Sequence, residues 1–79
     1  MLKYWVTDVH FVVVKDGFAW QRVRDLSNPP NITACDCCMP HAIKKELKVM
    51  GIIPGYQDYS TNPKHPSEEE WLEVKNNAD

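Results

Sequence analysis

The sequence predicts an α+β fold: a small single domain whose N-terminal antiparallel β-hairpin packs against one central helix, with a short helix near the C-terminus. Three observations lead there. Residues 3–26 are dense in Val, Tyr, Trp and Phe and are broken once, at Lys15-Asp16-Gly17, a turn signal between two strand-forming runs. Residues 41–50 set Ile43, Leu47 and Met50 along one stripe and Lys44, Lys45 and Lys48 mainly on the other side, the pattern of an amphipathic helix. Ser67 and Glu70 have capping-box spacing just ahead of Trp71, Leu72 and Val74. The expected organisation over 1–79 is a hairpin at 3–26, a Cys-rich loop at 27–40, a helix at 41–50, an irregular stretch at 51–66 and a short helix at 68–75.

Each element has a local cause. Two hairpin registers are open. A two-residue turn at Asp16-Gly17 sets Asp8 opposite Asp25, which is repulsive across a strand pair. A three-residue loop with Gly17 left-handed pairs Val12 with Trp20, His10 with Arg22 and Asp8 with Arg24, and charge favours this second register. It gives one apolar face, with Trp5, Val9, Phe11, Val13, Ala19 and Val23. The other face is mixed, with Tyr4, Val6, Asp8, His10, Val12, Trp20, Arg22 and Arg24. Ser27-Asn28-Pro29-Pro30-Asn31 ends the strand pattern. Pro40 suits a helix start, where its missing N–H costs nothing, and Gly51 suits a helix stop. Three prolines between Pro54 and Pro66 argue for irregular chain. Glu68, Glu69 and Glu70 favour a helix N-terminus by charge.

Composition narrows the function classes. The chain has 79 residues, of which 43% are hydrophobic, 10% aromatic and 25% charged, so it is built to fold but has little core to spare. Its net charge of −2 argues against a dedicated nucleic-acid binder, although a local basic patch is compatible with it. The three cysteines are an odd number in one short stretch, unlike a secreted disulfide framework. The first residues lack a basic head and apolar run, and the longest apolar run, Phe11 to Val14, is too short to span a bilayer. The expected setting is a reducing cytoplasm with no membrane partner.

Chemistry concentrates in Cys35-Asp36-Cys37-Cys38-Met39-Pro40-His41. Cys35 and Cys38 have the spacing with which two thiolates on a tight turn reach one zinc ion, and His41 follows about one helical turn on. Cys35, Cys38 and His41 are thus candidate zinc ligands, with Cys37 as the substitute thiol and His65 or His10 as a fourth. A Cys-x-x-Cys at a helix N-terminus also has its thiol pKa lowered by the helix dipole, which makes a small thiol redox protein a further alternative. The third interpretation is a buried turn, because free cysteine packs as a small hydrophobe.

Elsewhere, Asp8, His10, Arg22 and Arg24 form a polar island that could hold an anion or act as acid and base, or simply form a solvated ion pair. Trp20 beside Arg22, Arg24 and Tyr4 has the components of a surface that stacks single-stranded nucleic acid; Trp20 could equally cover the sheet against Trp71. Tyr56 and Tyr59 suit a protein interface or a core lid. The sequence holds no phosphate loop, no Gly-x-Ser-x-Gly and no His-Glu-x-x-His.

By elimination and by its aromatic surplus, the expected function is a small protein-binding module rather than an enzyme. It would be a regulator or inhibitor that occupies a partner's surface through Tyr4, Trp20, Arg22, Arg24, Tyr56 and Tyr59. Viral and mobile-element accessory factors are the comparable setting. The main alternative is a zinc-stabilised nucleic-acid module using Trp20, Arg22 and Arg24.

Overall fold

The computed structural model describes residues 2–32, 39–52 and 64–78. Four strands and two helices follow in the order β1 (Lys3–Val6), β2 (His10–Lys15), β3 (Phe18–Val23), β4 (Asn31–Ile32), α1 (His41–Val49) and α2 (Glu68–Ala78). The strands form one antiparallel sheet in the order β1-β2-β3-β4. The α+β class is as expected, with two strands more than the hairpin alone.

The expected first strand is divided in two. Thr7, Asp8 and Val9 turn the chain back on itself between β1 and β2. The Thr7 hydroxyl oxygen accepts the His10 N–H at 2.8 Å, and the Thr7 N–H donates to the His10 carbonyl at 2.8 Å. A threonine side chain that captures a nearby backbone N–H competes with the sheet ladder, and here it ends β1. The turn also reverses the alternation of side chains. Tyr4 and Val6 lie opposite Val13 and Phe11, and Trp5 lies opposite Val12.

The hairpin register is the two-residue one. Lys15 pairs with Phe18, Val13 with Trp20 and Phe11 with Arg22. Asp16 and Gly17 have φ of 53° and 82°, the two left-handed residues of a type I′ turn, whose twist matches that of the strands. The repulsion expected between Asp8 and Asp25 does not arise. Asp8 stands exposed in the β1–β2 turn, and Asp25 is held below the usual carboxylate range first by the Ser27 side chain and then by the Ser27 N–H, which it accepts at 2.8 Å.

The sheet faces follow from this register. Phe11, Val13, Trp20 and Ile32 meet Trp71 and Val74 of α2 on one side. Val12 and Ala19 meet Ile43 and Leu47 of α1, with Met39 and Ile52, on the other. The sheet is therefore the middle layer of three. The expected apolar and mixed faces are corrected accordingly: Phe11 and Val13 share the face of Trp20 and Arg22, and Val12 lies behind it with Trp5.

Both helices end as their sequences dictate. Gly51, at φ 78°, closes α1: its N–H donates to the Lys48 carbonyl and the Ile52 N–H to the Leu47 carbonyl, both at 3.0 Å, a Schellman stop. Pro40 takes the N-cap position just before α1. Ser67 caps α2 reciprocally: the Ser67 N–H donates to Glu70 Oε1 at 3.0 Å and the Glu70 N–H to Ser67 Oγ at 3.2 Å. The helix runs three residues past the expected end at 75.

Candidate binding surface

A groove opens where the β1–β2 turn faces the start of α1. It measures about 780 Å³ and is lined by Trp5, Val6 and Val9 on the sheet side and by Met39, Pro40 and Ile43 on the helix side, with Thr7, Asp8 and His10 on its rim. Val6 and Val9 are 43% and 55% exposed. The early end of β1 and the capped turn at Thr7 hold these valines outward. Trp5 is fixed from the helix side by its Nε1–H, which donates to Glu46 Oε2 at 2.6 Å. The arrangement offers an apolar floor, one carboxylate and one imidazole, which suits recognition of a side chain more than a reaction.

The expected surface on the opposite face is largely sealed. Trp20 is 0% exposed: α2 packs over it through Trp71, and His65 meets it edge-on at 6.2 Å. Arg22 is 7% exposed. Its guanidinium donates to the carbonyls of Asn28 (2.6 Å) and Leu26 (2.9 Å) and to Glu68 Oε1 (2.9 Å), and it lies 5.9 Å from the Trp71 ring. Arg22 thus ties the chain after β3 to the start of α2, and neither it nor Trp20 is offered to a partner. Tyr4 is half-buried against the same core, and Arg24 lies over the Phe11 ring at 5.8 Å. Tyr56 and Tyr59 lie outside the described residues. The groove residues Val6 and Val9 were missed because they look like any strand valine; the signal was Thr7-Asp8, which breaks the strand.

Of the candidate metal ligands, Cys35, Cys37 and Cys38 also lie outside the described residues, and His41 is exposed on the first turn of α1. Among the described residues no group of three or more His, Cys, Asp or Glu side chains could hold a metal ion. The two histidines proposed as a fourth ligand are separated by the sheet: His10 lines the groove beside Met39, whereas His65 sits against Trp20.

Charge is divided between the outer surfaces. Lys45 and Lys48 are exposed on α1, and Glu68, Glu69 and Glu73 on α2. Glu70 instead accepts from Lys15 Nζ at 2.6 Å; that bond first, then the Ser67 N–H, lowers its pKa. Among the described residues no helix is long and apolar enough to cross a membrane. No family profile, no curated protein and no solved structure matches the chain.

Proposed function

We propose that the protein is a small non-catalytic protein-binding module, a regulator or inhibitor that acts by occupying a partner's surface. One observation carries this: Val9 stands 55% exposed on the same groove as Trp5, Met39 and Ile43, at whose end Val6 is also exposed. A domain this small needs its apolar side chains for its core. A valine held outward beside an apolar floor leaves surface that a partner would remove from water. Asp8 and His10 on the rim supply the polar border that such contacts have.

The test is direct binding. A partner captured on the immobilised chain is purified, and its affinity is measured by calorimetry for the natural chain and for Val9→Asp. The expected result is a loss of about tenfold or more for Val9→Asp, since burying an unpaired carboxylate is costly. Binding should barely change between low and moderate salt. An affinity that Val9→Asp leaves intact, or one that falls steeply with salt as phosphate contacts would make it fall, overturns the proposal.

A second reading keeps zinc. His10 lines the same groove as Met39, the residue that follows Cys38, so of the two fourth-ligand candidates it stands on the side from which the chain enters α1. The nucleic-acid half of that reading is weakened by the burial of Trp20 and Arg22. Native mass spectrometry with and without chelator separates the cases. Bound zinc that Cys35→Ser or Cys38→Ser removes supports the site, and a metal-free natural chain ends it.

A further inference from the structure

We propose that β1 accepts an extended strand from the partner protein, and that this strand carries a lysine or arginine three residues from an apolar residue. The inference rests on the protein-binding reading above and names the chemistry of the partner.

The sheet has two edges, and they differ. β4 is two residues long, too short to template another strand. β1 has four residues in regular register with β2, and among the described residues nothing pairs with its outer side. An edge of this kind presents alternate unpaired N–H and C=O groups, and proteins that leave one open often use it to receive a strand.

Two hollows flank this edge, one on each face of the sheet. The groove adjoins Trp5 and Val6 and opens toward α1. The second, of about 300 Å³, adjoins Leu2, which directly precedes β1, and opens toward α2, where Glu70, Glu73 and Val74 complete it. Leu2 and Tyr4 pack on the α2 side, whereas Trp5 packs on the α1 side. Side chains of an added strand alternate between faces and lie beside those of β1. The residue opposite Leu2 therefore points to the α2 side, and the residue opposite Trp5 points to the α1 side. These two positions are three residues apart, about 10 Å along the strand.

The hollows differ in chemistry. The α1-side groove has the apolar floor of Trp5, Met39 and Ile43. The α2-side hollow has two carboxylates, of which Glu70 is already paired with Lys15, whereas Glu73 makes no ion pair among the described residues. A basic side chain has a long apolar stem and a charged head. The stem would lie against Leu2 and Val74 while the head reaches Glu73.

The probe is a random-sequence peptide library selected on the full chain, followed by synthetic copies of the selected peptides. The expected peptides share Lys or Arg three positions from an apolar residue and slow amide exchange at residues 3–6. Glu73→Lys, an exposed change that leaves the core alone, should weaken them about 5- to 10-fold, as reversal of one exposed ion pair does. Replacing the peptide's basic residue by Glu should restore binding to that variant. The inference is overturned by peptides without this pattern, by exchange protection elsewhere, or by sedimentation showing that β1 is taken up by a second copy of the chain. Peptides that respond to Val9→Asp but leave residues 3–6 unprotected overturn strand addition while leaving the groove as the binding surface. Failure of the groove itself is read from Val9→Asp with the captured partner.

Discussion

The two faces of the sheet are covered by helices that hold on in different ways. α1 is the more amphipathic. It buries Ile43 and Leu47 against small aliphatic partners, Val12 and Ala19, and its hydrogen bond to the sheet comes from Trp5 at the rim. α2 presents a weaker apolar stripe but a larger anchor: Trp71 and Val74 close over Trp20, Phe11 and Val13. Two ion pairs, Arg22–Glu68 at 2.9 Å and Lys15–Glu70 at 2.6 Å, fix its first turn. A helix with the weaker apolar stripe is thus attached through one large ring, Val74 and two ion pairs at its first turn. The two pairs differ in setting: Arg22 is buried but its partner Glu68 is 70% exposed to water, whereas Lys15 and Glu70 are both partly buried.

The comparison can be broken most sharply at Trp71. Trp71→Ala should cost about 3–5 kcal/mol, measured by urea unfolding, because the ring is wholly buried between α2 and Trp20. A chain of this length has about 4–12 kcal/mol in all, so the variant should lose between about a quarter of its stability and all of it. Leu47→Ala removes the matching anchor of α1 and should cost about 2–4 kcal/mol, the smaller figure reflecting the smaller side chain. A larger loss at Leu47 than at Trp71 would reverse the ranking of the two faces.

The smallest effect sharpens the comparison by pH. The carboxyl of Glu70 is held below its ordinary value of 4.5 by Lys15 and by the Ser67 N–H. A lowered folded pKa stabilises above the ordinary value and is lost as pH falls through the folded value. Amide protection factors, which correct for the intrinsic slowing of exchange in acid, should therefore fall in α2 below about pH 4.5 before those in α1 do. An equal fall in protection in both helices would show that the Glu70 contacts are not what distinguishes them.

Much of this was legible locally. The capping box at Ser67, the stop at Gly51 and the strand content of 3–26 are decided within a few residues, because each depends on one turn's hydrogen bonds or one side chain's conformational freedom. The charge argument for the three-residue loop fails because it needs Asp8 to continue the strand, and Asp8 lies in the turn instead. The competing feature was Thr7, whose hydroxyl captures the His10 N–H and ends β1 first. β4 was missed because two residues after Pro29-Pro30 carry no periodicity to detect. The expected contact surface failed at Trp20 and Arg22 for a different reason. An aromatic and a basic side chain on a strand look alike whether they meet water or a helix, and the residue that decided between these, Trp71, lies in another element.

By itself the sequence determined the turn at Asp16-Gly17, the stop at Gly51 and the cap at Ser67, since those events are settled by neighbours within about four positions. Only the tertiary structure decided which side of the sheet is covered by which helix and therefore which residues remain exposed. The break at Thr7 reverses the alternation of every side chain before it relative to every one after it. Helix α2 then closes over the face that holds Trp20, and Val6 and Val9 are left at the groove by the rim of α1.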